Sequence, residues 1–231
     1  MRNVRTTPER IFVPMTLPFD PHTRKPEGTT PKGLILLLHG YDQSGTHVLR
    51  RLGDYLPKDW AVISPNAPFP IPHWDSTFPA PGWRQQKLKL GYTWYFYQSS
   101  TKEYFLDMKP ALDYLKRGIT QLGFADLPKI VVGFSQGGYV APFIANELSQ
   151  VRQVVCLSCE FLPNDMDDKF PARIDGIFGD SDPIADIEPA KATHAGLLAK
   201  GVQGEFHIVP GVGHDMPASV GEKLREILIL R

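Results

Sequence analysis

The sequence predicts an α/β fold in which a mostly parallel central sheet carries helices on its faces. Three observations predict it. Short, continuously apolar runs such as "LILLL" (34–38) and "KIVVG" (129–133) suit strands covered on both sides. Longer stretches of helical period alternate with them. Neither an internal repeat nor a low-complexity linker divides the chain. Its 231 residues, 42% hydrophobic and 22% charged, can bury a real core, and a single domain over 1–231 is expected.

Taken in order, "RIFVPMTL" (10–17) reads as an antiparallel edge strand, joined to strand 34–38 by the Pro- and Gly-containing turn region 20–32. Val48, Leu49, Leu52, Tyr55 and Leu56 recur at helical spacing and predict a helix over 46–56. "WAVIS" (60–64) is the next strand. Residues 65–100 are too long and too proline-rich for an ordinary connection, and they hold three of the four tryptophans. They read as a loop forming the wall or lid of an apolar pocket. Leu112, Leu115, Ile119 and Leu122 predict a helix over 110–122, followed by strand 129–133 and helix 137–149. Strands 153–158 and 173–178, helix 188–200, strand 204–209 and helix 217–230 complete the alternation.

Composition excludes several classes of function. Basic and acidic residues number 25 each and no basic patch is present, so a nucleic-acid partner is not expected. No apolar run reaches the roughly 18 residues a membrane span needs. Pro14 and Pro18 break "IFVPMTLPF", the one apolar stretch near the N-terminus, which makes a poor signal-peptide core. The expectation is a cytoplasmic protein without stable membrane insertion. Cys156 and Cys159 form a C-x-x-C in a strand-like run, where residues three apart point to opposite faces. With no second Cys/His pair to complete a zinc site, they read as small buried hydrophobes, and no metal site is expected.

The chemistry centres on "VVGFSQGGY" (131–139). G-x-S-x-G between a strand and a helix places a serine, here Ser135, on a sharp turn with small neighbours. A serine hydroxyl needs a base, and the base needs an acid to orient it. Of the histidines that follow, His194 lies in a helical stretch, where a surface or capping role is expected, and His207 lies inside a strand. His214, in the glycine-bounded loop "PGVGHDMP", is the best placed. "IDGIFGDSDPIAD" offers the acid: Asp182, ahead of a rigid proline, is preferred and Asp180 is the fallback. Asp186 could cap the next helix. The oxyanion donors are expected from the backbone N–H of Gln136 and that of Tyr41 in "HGYDQSG", with His39 anchoring that loop.

Together "LLLHGYDQSG", "SPNAPFP", "GYTWYF", "VVGFSQGGYVA", "LSCEFLP", "GDSDPI" and "PGVGH" resemble the α/β-hydrolase superfamily, in particular its phospholipase/carboxylesterase branch with the acyl-protein thioesterases. The pieces run in that family's order over residues 33 to 216. The resemblance implies an α/β-hydrolase fold with about seven or eight strands, Ser135 as nucleophile, Asp182 as acid, His214 as base, and Tyr41 and Gln136 as oxyanion-hole amides. It also admits a homodimer. The chain departs from the family's pattern at Asp42, where a second glycine is usual, at Asp186, and in the extra residue of "LSCEFLP". The implied reaction is hydrolysis of a small-molecule ester or thioester through an acyl-enzyme, with no metal or organic cofactor required. The aromatic stretch favours a small to medium apolar acyl or aryl group, with Trp94 and Phe96 beside it. Alternatives are a long-chain thioesterase or lysophospholipase, and a non-hydrolytic or non-catalytic member of the same fold.

Overall fold

The computed structural model describes residues 17–74, 88–98, 100–162, 170 and 172–228. Its elements run β1 (Pro21–Arg24), β2 (Leu34–Leu38), α1 (Gly45–Leu52), β3 (Ala61–Pro65), β4 (Phe69–Trp74), β5 (Leu88–Thr93), β6 (Phe96–Gln98) and β7 (Glu103–Leu106). They continue with α2 (Lys109–Gln121), β8 (Lys129–Phe134), α3 (Gln136–Glu147), β9 (Val151–Leu157), β10 (Arg173–Gly179), α4 (Ile187–Ala199), β11 (Phe206–Val209) and α5 (Ala218–Ile227).

Seven strands form the main sheet in the order β1-β3-β2-β8-β9-β10-β11. All neighbours are parallel except the antiparallel β1–β3 pair. This is the α/β-hydrolase type of sheet the sequence predicts. Alternation along β2 shows how it is covered. Leu34, Leu36 and Leu38 pack into one cluster with Ala111 and Leu115 of α2, Val140 and Ile144 of α3, and Ala190 and Leu197 of α4. Ile35 and Leu37 pack into the other with Val48 and Leu52 of α1 and Val220 and Leu224 of α5. Every residue of β2 is fully buried, which is why the strand reads as an unbroken apolar run.

Two predicted elements differ. The antiparallel edge strand is Pro21–Arg24, inside the stretch expected to be a turn. Most of the run 10–17 expected to form it lies outside the described residues. "PHTR" has no strand-like pattern, and tertiary contacts hold it instead. The Arg24 guanidinium donates to the carbonyls of Gly53 (2.6 Å), Leu56 (3.3 Å) and Pro57 (3.0 Å), all near the end of α1. The stretch 65–100 is likewise more than a loop. Where described, it forms strands of two antiparallel pairs, β4–β5 and β6–β7. Pro70 and Pro72 alternate in β4, whose partner lies on one side only, so their missing N–H groups cost no ladder bond.

The cysteines also need correcting. Cys159 lies past the end of β9, after Ser158 with φ of 50°, and the chain there turns back to the side of Cys156. Both thiols are free, fully buried and in the same core cluster. They do share a face, and they pack as the small hydrophobes expected of them.

Candidate active site

Four segments converge at the C-terminal ends of the parallel strands. The sharpest is the turn from β8 into α3. Ser135 has φ of 51° and ψ of −118°, a strained backbone for a residue with a side chain and one that projects it out of the turn. The glycines around it allow the turn to close. A Cβ on Gly133 would overlap the Gly137 carbonyl, and one on Gly137 would overlap the carbonyls of Leu38 and His39. Gly133→Ala is therefore expected to destabilise the protein by about 2–3 kcal/mol. Urea unfolding measures this, and an unchanged midpoint would show that the turn relaxes freely.

Ser135 faces His214, with Oγ 2.9 Å from Nε2. The opposite ring nitrogen, Nδ1, lies 2.8 Å from Oδ2 and 3.1 Å from Oδ1 of Asp182. A carboxylate only accepts, so Nδ1 carries the ring proton and Nε2 is free to accept from the serine hydroxyl. The Asp182 carboxyl is 1% exposed. Burial pushes its pKa up, but the N–H groups of Ala185 (2.9 Å) and Ile184 (2.8 Å) and the His214 ring outweigh burial and hold it below the usual carboxylate range. Asp182 thus stays ionised where it meets the imidazole. Asp180, the fallback acid, instead accepts from the N–H of Gly211 (2.7 Å), where φ is 71°, and braces the loop that carries His214. A second brace is the ion pair of Arg51, on α1, with Asp215.

The loop after β2 is pinned on both sides of Tyr41. Gly40 N–H donates to Gln43 Oε1 (3.1 Å), and Asp42 N–H donates to the Tyr92 carbonyl (2.9 Å). Asp42 has φ of 61°, the left-handed conformation that the glycine it replaces would adopt freely. Its carboxylate also meets His73 Nε2 at 2.5 Å, joining the loop to β4. Beneath it, His39 is fully buried and acts as an anchor. The Ala67 N–H donates to Nε2 (3.0 Å), so the ring proton is on Nδ1 and is donated to the Gly40 carbonyl (2.7 Å). Burial drives the His39 pKa down to about 4.

The side chain of Gln136 does more than its sequence position suggests. Its Oε1 accepts from Trp94 N–H (3.0 Å) and its Nε2 donates to the Tyr95 carbonyl (2.9 Å), with Thr93 Oγ1 bridging at 3.0 and 2.9 Å. The residue that follows the serine is therefore stapled to the aromatic segment after β5.

Ser135, Gln136 and Tyr41 share a cleft of about 320 Å³ with Tyr95, Phe96, Tyr97 and Tyr139. Phe96 lies where the sequence suggests. Trp94 does not: it is 0% exposed, its Nε1 donates to the His39 carbonyl (2.8 Å), and it supports the loop from below. Tyr95, Tyr97 and Tyr139 are the lining residues missed. Tyr139, four residues beyond Ser135 on α3, could have been found from helical spacing alone. His194 differs as well, being 3% exposed with Nε2 3.0 Å from the Ile174 carbonyl. Asp186 caps α4, as its position suggests, by accepting from Glu188 N–H (3.1 Å).

A parallel sheet of this order, with a strained serine turn, a histidine and a buried aspartate at its strand ends, defines the serine-hydrolase class of α/β-hydrolase fold. The serine hydrolase (FSH1) family profile matches residues 29–193, and the chain belongs to that family. Its fold is similar to that of esterase PE8 (22% identity, 91% of this chain and 99% of that one, TM-score 0.67). It is also similar to acyl-protein thioesterase 2 of Zea mays (18% identity, 90% and 96% covered, TM-score 0.66). A third likeness is to the carboxylesterase of Bacillus cereus (14% identity, 90% and 92% covered, TM-score 0.63). At these identities the likeness establishes the fold. No curated protein matches the chain. No helix among the described residues is long and apolar enough to cross a membrane.

Proposed function

We propose that the protein hydrolyses carboxylic esters through an acyl-enzyme on Ser135. The observation that carries this is the unbroken relay from Ser135 Oγ to His214 to the ionised Asp182, at 2.9 and 2.8 Å. His214 Nε2 takes the hydroxyl proton as Oγ attacks the ester carbonyl, and Asp182 holds the imidazole in the required tautomer and stabilises its charged form. The N–H groups of Tyr41 and Gln136, which border the same cleft as Ser135, receive the oxyanion. The imidazolium returns the proton to the departing alcohol. Water, deprotonated by His214, then releases the acid and restores Ser135. Family membership and the esterase and thioesterase neighbours support this reading. None of these steps calls for a metal or an organic cofactor.

Labelling with a fluorophosphonate tests it. Wild-type protein is expected to label at Ser135 and Ser135→Ala is expected not to label. A folded wild type that stays unlabelled would remove the activated nucleophile, and the proposal with it.

A further inference from the structure

The cleft beside Ser135 is unusual in its chemistry. Of the seven described residues that line it, five are aromatic, Tyr41, Tyr95, Phe96, Tyr97 and Tyr139, and the other two are Ser135 and Gln136. Among the described residues, no aliphatic and no charged side chain lines it. Its volume, about 320 Å³, lies at the small end of the roughly 300–1,000 Å³ common for small-molecule sites.

Three of these rings pack against aromatic neighbours behind the cleft. Tyr97 and Tyr104 lie 5.0 Å apart between ring centroids, Tyr95 and Tyr104 5.7 Å, and Phe69 and Phe96 6.3 Å. The backbone of this wall is fixed by the Gln136 staple at Trp94 and Tyr95. Burial pushes the Tyr95 and Tyr139 phenols well above their usual range, so both remain neutral O–H groups. Flat aromatic walls favour a flat ring over a flexible alkyl chain, because ring faces and edges pack with directional preference and a ring has little freedom to lose.

The position of the cleft also says which half of an ester it would take. The leaving alcohol must depart next to His214 Nε2, which protonates it. His214 does not line the cleft, whereas Ser135 and both oxyanion residues do. The cleft is therefore on the acyl side.

We infer that the acyl group accepted here is an aromatic one, a ring held one to three atoms from the carbonyl, esterified to an alcohol that the cleft does not select. The inference rests on the ester-hydrolase reading given above. In the step it specifies, Ser135 Oγ bonds to the carbonyl carbon of the aromatic acyl group and the ester C–O bond breaks. The alcohol leaves with the proton that His214 took from the serine. Water then adds to the acyl-enzyme, the Oγ–C bond breaks, and the aromatic acid is released.

The test compares 4-nitrophenyl 3-phenylpropanoate with 4-nitrophenyl hexanoate and decanoate on the full chain. Each kcat/KM is divided by the ester's own rate of hydrolysis by hydroxide. The phenylpropanoate is expected to be preferred by about tenfold, the effect of one or two favourable ring contacts. Tyr97→Leu removes a wall residue that is 47% exposed. It is expected to cut that preference to about twofold. Because the preference is a ratio within one preparation, it does not depend on how much of the variant folds. Equal or greater rates for hexanoate or decanoate would overturn the aromatic assignment while leaving Ser135 labelling intact. A wild type that neither labels at Ser135 nor turns over any of the three esters would instead overturn the hydrolase reading beneath it.

Discussion

His214→Ala is expected to lower kcat for 4-nitrophenyl acetate by about 10⁴- to 10⁶-fold, and to add little further loss when Ser135 is already alanine. The reason is the geometry of the relay. With Nε2 2.9 Å from Oγ, the imidazole is the group placed to remove the serine proton. Without it the hydroxyl is a poor nucleophile, and without the hydroxyl the base has no proton to take. Residual turnover of about 10³ over water is expected from the oxyanion donors and binding alone. Asp182→Asn should cost about 10⁴-fold by a different route: a carboxamide can donate to Nδ1, which leaves the ring proton on Nε2 and blocks acceptance from Ser135. Steady-state kinetics of the two single variants and the double variant check this. Losses that multiply would show that serine and histidine act independently, contrary to the relay.

The parts of the fold that could be read from the sequence are those whose local pattern and tertiary environment agree. β2, β8 and β9 are buried on both faces by helices, so each carries a continuous apolar run, Leu34–Leu38, Ile130–Phe134 and Val154–Leu157, that signals itself. β1 and β4 give no such signal. The first is polar and held by the Arg24 guanidinium against three carbonyls, and the second alternates proline on an unpaired edge. Both depend on partners distant in the chain, which no local window contains. The same division runs through the site. Ser135, Asp182 and His214 lie at the ends of legible strands, in turns whose glycines and proline limit what they can be. Aromatic composition carries no direction, so it places Trp94 in the pocket along with its neighbours. Its ring points down onto His39, at 4.9 Å between centroids, while its neighbours Tyr95 and Phe96 reach the cleft. His194 was legible in principle, since it shares the buried stripe of α4 with Ala190 and Leu197 at spacings of four and three.

Acidification from pH 7.5 toward pH 4 is expected to destabilise the protein steeply, and His39→Gln is expected to remove much of that slope. The folded His39 ring has a pKa of about 4, lowered first by burial, whereas in the unfolded chain it sits near the ordinary value of 6.5. As pH falls below about 6.5 the unfolded chain takes up this proton and the folded chain does not. Stability therefore drops through the window between about 6.5 and 4, and this group contributes no further loss below it. The gap corresponds to about 3 kcal/mol at roughly 1.4 kcal/mol per pH unit. For a domain of this size that is about 6–12 °C in Tm. His47, whose pKa is also lowered by burial and by Arg50 and Arg51, adds to the slope with the same sign and remains in the variant. The comparison is therefore the difference in slope between wild type and variant, from urea unfolding at pH 7.5, 6.0 and 5.0, and not the baseline, which the variant will lower at every pH. The neutral ring is what the loop requires, because a protonated Nε2 could no longer accept from Ala67 N–H, which would be left buried without an acceptor while Nδ1–H kept its bond to the Gly40 carbonyl. Parallel slopes in the two proteins would mean that His39 carries its proton in the fold and that the loop is held some other way.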